Sequence, residues 1–147
     1  MSKAQQYDLL ALQLKALLEG ETDPVAKMAN MAAVLHAEFG FWWTGFYRVS
    51  GEELILGPFQ GPVACMHIPF GKGVCGTAWA RNETVVVPDV EQFPGHIACS
   101  SASRSEIVVP VHDPHGAVVA VLDIDSDRLG TFDDVDKEAL ERLVKLL

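Results

Sequence analysis

Apolar residues along the first forty positions recur three and four apart: Tyr7, Leu10, Leu14 and Leu17, then Val25, Met28, Ala32, Leu35 and Phe39. That spacing draws an apolar stripe along each of two helices, expected at about 3–19 and 24–39 and facing a core. Gly20 and Gly40 end the stripes, and Asp23-Pro24 supplies an N-cap followed by a proline at the first helical position. From residue 41 the texture changes to aromatic and branched runs. "FWWTGFYRVSGEELILGPF" reads as two strands joined at Ser50-Gly51, and "EIVVPVHDPHGAVVAVLDIDS" as two more joined at Asp113-Pro114-His115-Gly116. Joins this tight make the strands antiparallel. Between the pairs lie a short strand, a glycine bend at 71–73, a short helix through Trp79 and a strand at Val85 to Val87. A closing helix is expected over 132–147, with Thr131 as its N-cap and three Asp residues at its positive end. The plan is α+β: one domain over 1–147, an antiparallel sheet within 41–126 and helices packed against it. Residues 88–103, "PDVEQFPGHIACSSAS", have no periodicity and a length found in lids and binding loops.

The chain has 147 residues, 49% of them hydrophobic, enough for one core. Twenty acidic against eleven basic residues give a net charge of −9, which argues against nucleic acid and membrane surfaces as partners. Asp8, Gln13 and Lys15 interrupt the amino-terminal apolar residues, so neither a signal peptide nor a membrane span is expected, and a cytoplasmic location follows. Three cysteines are an odd number for a structural disulfide framework.

Four constellations could carry chemistry. "FGKGVCGTAW" has neither P-loop nor dinucleotide spacing; its glycines are expected at a strand-to-helix corner, allowing positive φ and close backbone approach. Cys65-x-His67 and His96-x-x-Cys99 offer four donors, but cysteine spacings of ten and twenty-four are not those of structural zinc sites, so no metal is expected. His112 and His115 flank a hairpin turn and are expected in solvent. The thiols leave two readings open: three unrelated cysteines, or a redox set in which one thiol meets a substrate and a second closes a disulfide against over-oxidation. The acids also leave two. Glu106 begins one strand, while Asp123 and Asp125 share a face of its neighbour. Either this strand end emerges into solvent, or the carboxyls are desolvated together and one remains protonated near neutrality.

Taken together, Cys65, Cys75 and Cys99, "FGKGVCGTAW", the "PDV…FPGHIAC" loop, "SRSEIVVPV" and "LDIDS" resemble the free methionine-(R)-sulfoxide reductases, enzymes built on a single GAF domain. The likeness is close over 41–136 and general in the two leading helices. It implies thioredoxin-dependent reduction of free L-methionine-(R)-S-oxide to L-methionine through a cysteine sulfenic acid and an intramolecular disulfide. By that resemblance Cys99 is the catalytic nucleophile, Cys65 the resolving cysteine and Cys75 an auxiliary or alternative resolving thiol. Glu106, Asp123 and Asp125 match active-site carboxylates, and Trp43 an aromatic lining the pocket for the substrate's methyl group. The resemblance also implies no bound cofactor, thioredoxin as reductant with NADPH acting indirectly through thioredoxin reductase, and a homodimer. Two other classes compete: a GAF sensor module that binds a small molecule, and a thiol redox sensor without turnover. The cysteine triplet counts against the first.

Overall fold

In the computed structural model, which describes residues 1–97 and 102–147, the longer helices start where a side-chain oxygen takes up the free amides of the first turn. Ser2 does this for α1 (Lys3–Leu18) and Asp23 for α2 (Pro24–Phe39), which ends at Gly40 in the left-handed conformation. The carboxy-terminal helix starts later than the sequence suggests. Phe132 is buried in the core, and the Thr131 hydroxyl lies 2.6 Å from that of Ser126, so Asp133 becomes the cap of the helix Asp134–Leu143. A 3-10 turn, Val144–Leu146, follows it. The stripes also shift. Leu18 is buried in place of Leu17, Met31 joins Met28, Ala32 and Leu35, and Val25 stands exposed.

The strands are β1 (Trp43–Ser50), β2 (Glu53–Gln60), β3 (His67–Pro69), β4 (Val85–Val87), β5 (Ser105–His112) and β6 (Val118–Ser126). Among the described residues they form one antiparallel sheet in the order β3-β2-β1-β6-β5-β4. A short helix, α3 (Gly73–Arg81), joins β3 to β4, which makes the carboxy-terminal helix α4. Helices α1, α2 and α4 pack on one sheet face around Phe46, Ile107, Val109, Leu122 and Ile124. Helix α3 covers the other around Tyr47, Val108 and Val121, through Val74, Cys75 and Ala78. With both faces covered, β5 and β6 read as nearly continuous apolar runs. Glu106, Asp123 and Asp125 interrupt those runs, all on the α3 side.

The glycines of the strand-to-helix corner behave as expected. Gly71 and Gly73 have φ of +74° and +65°. A Cβ at Gly76 would stand 2.8 Å from the Pro69 carbonyl oxygen, so the close approach there excludes a side chain. Residues 90–92 of the aperiodic segment form a 3-10 turn capped by Asp89.

Candidate active site

Antiparallel register assembles the pocket. Glu106 of β5 pairs with Asp125 of β6, which pairs with Trp43 of β1, and all three side chains rise from the α3 face. One step along, Val108, Asp123 and Gly45 form the next row. Gly45 therefore leaves open the place beside Asp123 that a side chain would fill. The Trp43 indole leans into it: a Cβ at Gly45 would meet the Trp43 Cη2 at 2.6 Å and the Phe59 Cβ at 2.4 Å. A register shift between β1 and β2 at Gly45 and Tyr47 brings Phe59 opposite Gly45, with its ring stacked on Trp43 at 5.3 Å.

Two aromatics hold the segment that carries Cys65. The Trp43 indole N–H donates to the Pro62 carbonyl at 3.0 Å, and the Tyr47 hydroxyl to the Cys65 carbonyl at 2.9 Å. Val63 and Ala64, next to Cys65, form one wall of the pocket. The opposite wall is the start of α3, Lys72 to Cys75, with His96 and Ile97 above it. Ile97 lies within 3.1 Å of where a Gly73 Cβ would stand, so that glycine lets the segment close over the helix.

The floor is acidic and buried. Glu106 and Asp123 are each 5% exposed and Cys75 4%, while Asp125 is half-buried. Desolvation pushes the Glu106 carboxyl well above its usual range, and the charges of Asp123 and Asp125 push it further. Glu106 is the donor toward both aspartates, so it is the carboxyl that keeps the proton. Desolvation raises Asp125 strongly as well, followed by the Asp123 charge, against hydrogen bonds from Ser103 and Glu106. The Ser103 hydroxyl donates to Asp125 Oδ1 at 3.0 Å. Asp123 is raised less, because hydrogen bonds from Glu106 and Cys75 favour its charged form against desolvation. Its Oδ1 is nevertheless buried without a hydrogen-bond partner among the described residues. Burial, reinforced by the three carboxylates, raises the Cys75 thiol well above its ordinary value and keeps it protonated. His96 Nε2 lies 3.8 Å from Glu106 Oε1, and desolvation lowers the ring's pKa against the pull of Asp123, favouring neutral imidazole.

The pocket thus brings together Trp43, Cys75, Glu106, Asp123 and Asp125, with Cys65 in the loop before β3 beside the wall residues Val63 and Ala64, and the carboxyls are desolvated rather than emerging into solvent. Cys99 lies outside the described residues. His67, weighed as a partner of Cys65 in metal binding, instead meets Glu53 at 2.6 Å on the surface. His112 and His115 are exposed, as expected. Gly45, Ser103 and the role of His96 beside Glu106 were missed. For Gly45 there was a signal: a lone glycine two residues after Trp43 in a strand run marks a close approach on the same face.

Replacing Gly45 with alanine tests this packing. The added methyl must displace Trp43 or Phe59, costing about 1–3 kcal/mol of stability. Melting temperature will fall, and the pocket's affinity for its ligand will drop more than its maximal rate.

The GAF domain family model matches residues 26–147. GAF domain-containing protein A of Dictyostelium discoideum is 53% identical over 147 residues, covering 99% of this chain and 92% of that protein. The free methionine-R-sulfoxide reductase of Escherichia coli is 46% identical over 148 residues, covering 100% of this chain and 89% of that protein. The X-ray structure of free methionine-R-sulfoxide reductase from Neisseria meningitidis in complex with its substrate superposes with a TM-score of 0.96 at 52% identity. That match covers 99% of this chain and 88% of the other.

Proposed function

This chain belongs to the GAF domain family and, within it, to the free methionine-R-sulfoxide reductases, which are oxidoreductases; from that membership we propose how its own residues carry out the reduction and what supplies the electrons. The observation that carries the assignment of roles is the buried floor: burial and the neighbouring aspartates favour a protonated Glu106, and Asp123 Oδ1 is buried without a hydrogen-bond partner among the described residues.

A free amino acid brings three features that a peptide-bound methionine lacks or hides: an ammonium, a carboxylate and a small body that fits entirely inside a pocket. The ammonium donates to Asp123 Oδ1, a charge-assisted bond to an otherwise orphaned acceptor. The carboxylate lies toward Lys72 and the first turn of α3, where no side chain caps the free amides. The methyl-sulfur end packs on Trp43, which is stacked between Phe59 and Tyr47. Glu106 then protonates the sulfoxide oxygen.

Cys99 supplies the attacking sulfur. Its thiolate attacks the electrophilic sulfoxide sulfur as the oxygen takes up a proton; the substrate's S–O bond breaks, the oxygen passes to the Cys99 sulfur as a hydroxyl and methionine leaves, so the cysteine loses two electrons and the substrate gains them. Cys65 condenses with the sulfenic acid, releasing water and closing a disulfide. Thioredoxin, by thiol exchange, returns both thiols, with NADPH supplying electrons through thioredoxin reductase. Cys65 is engaged in a disulfide and Cys75 is a free buried thiol, which favours Cys65 for the resolving part and leaves Cys75 a slower auxiliary one. No helix among the described residues is long and apolar enough to cross a membrane. A cytoplasmic location and a homodimer are proposed from the family resemblance.

The test is a coupled assay of reduced protein with thioredoxin, thioredoxin reductase, NADPH and free methionine-R-sulfoxide. NADPH loss with the R form, and none with the S form or with a sulfoxide inside a peptide, is expected. Equal rates on both epimers, or no loss at all, would overturn the proposal.

A further inference from the structure

The pocket floor contains a donor set of a second kind. Cys75 Sγ, a Glu106 carboxylate oxygen and an Asp123 carboxylate oxygen all lie within 4.8 Å of one another on buried side chains. They come from three elements of the rigid framework: the start of α3, β5 and β6. Asp123 Oδ1 is buried with no hydrogen-bond partner among the described residues, so this carboxylate keeps an acceptor free for a ligand. His96 Nε2 lies 3.8 Å from Glu106 Oε1, a nitrogen donor at the edge of the set.

We propose that Cys75, Glu106 and Asp123 bind one divalent cation of the zinc class, and that the occupied site excludes the amino-acid substrate. One thiolate with two carboxylates suits a borderline-soft ion that accepts sulfur and oxygen in a tetrahedral set. Calcium and magnesium, which take oxygen ligands in sets of six or more, find too few here and a thiol they do not prefer. Ligand atoms around zinc stand about 3.5 Å apart, given bond lengths of about 2.0–2.3 Å, so the three donors need only draw together slightly. His96 or a water completes the set. Binding involves no redox change: the Cys75 thiol and the Glu106 carboxyl release their protons to solvent, so affinity rises with pH. The cysteine spacings do not announce this set, because its three donors meet only through sheet register and the packing of α3 on the sheet. The second half of the proposal, exclusion of the substrate, rests on the reading that Asp123 takes the ammonium; the first half does not.

Cobalt(II) is the probe, added to the full-length chain carrying Cys65→Ser and Cys99→Ser, so that sulfur ligation can come from Cys75 alone. A thiolate-to-cobalt charge-transfer band saturating at one equivalent is expected, bleached by zinc and indifferent to calcium or magnesium. Adding Cys75→Ser should abolish the band. Adding Asp123→Asn instead, which keeps the sulfur, should weaken cobalt binding by about 10–100-fold, with circular dichroism confirming the fold. Free methionine-R-sulfoxide should compete with cobalt in the same protein, which cannot turn over. Absence of the band, its survival in Cys75→Ser, or indifference to Asp123→Asn would overturn the site. Cobalt binding unaffected by saturating sulfoxide would overturn the exclusion. Sulfoxide reduction by the native chain without a cobalt band defeats the site and leaves the enzymatic reading standing; a band without sulfoxide reduction does the reverse.

Discussion

Cys99→Ser will form no methionine even in a single turnover, its rate falling by at least about 10⁴-fold, because a hydroxyl neither ionises near neutrality nor accepts oxygen from the sulfoxide. Cys65→Ser will behave differently. With its nucleophile intact it should release about one equivalent of methionine per chain in the absence of reductant and then stop, the oxidised sulfur accumulating as sulfenic acid. Chromatographic quantitation of methionine, with a sulfenic-acid trap and mass spectrometry to locate the adduct on Cys99, distinguishes the two. Any thioredoxin-dependent turnover left in Cys65→Ser measures the auxiliary part of Cys75. That part should be small, since Cys75 is buried and burial with its three carboxylate neighbours holds it as a thiol. Methionine released at the native rate by Cys99→Ser would remove Cys99 from the chemistry and with it the proposed order of events.

The residues that announced the fold are those with local physical roles. Asp23 caps the second helix through its own carboxylate and Gly40 ends it in a left-handed turn; both meanings are contained within a few residues of chain. Hairpins at Ser50-Gly51 and at Asp113 to Gly116 are local too, and the observed strands meet there. One-residue ambiguities arose where local signals competed. Leu17 and Leu18 both satisfy a helical period in the last turn, and packing against the sheet selects Leu18. Thr131 and Asp133 are both competent caps, and burial of Phe132 selects the second.

The site divides in the same way. That Asp123 and Asp125 share a face follows from the twofold period of a strand. That Glu106 stands across from Asp125, with Trp43 on its far side, requires the pairing of three strands from distant parts of the chain. The Asp123 Oδ1, without a hydrogen-bond partner among the described residues, is further still from local reading, since its surroundings include Gly45 across the β1–β6 pair and α3 on the covering side. Cys75 illustrates the limit well. Nothing near it in the chain shows that burial, with Asp123, Glu106 and Asp125 around it, raises its thiol well above the ordinary value.

Amides in place of the floor carboxyls should separate the roles of two acids and stabilise the protein at once. Glu106→Gln removes the group that carries the proton, so kcat should fall by about 10²–10⁴-fold with little change in KM. Asp123→Asn removes the charge that meets the ammonium, so KM should rise by about 10–100-fold, the worth of a buried charge-assisted hydrogen bond. A methionine sulfoxide analogue without the α-amine should show no such difference between native chain and Asp123→Asn, an outcome that a merely structural role for Asp123 would not produce. Stability should move the other way. A carboxyl whose native pKa is raised contributes stability that is complete below its ordinary value, 4.5 for Glu106, and is lost as pH rises through the raised native value. Near neutrality the native fold therefore carries a penalty for holding Glu106 beside Asp123 and Asp125, and the amide removes it. Melting temperature at neutral pH should rise by a few degrees in Glu106→Gln, and the decline in stability with rising pH should flatten. A variant both inactive and less stable would mean that the carboxyls hold the sheet together, in place of a strained, desolvated cluster kept for its chemistry.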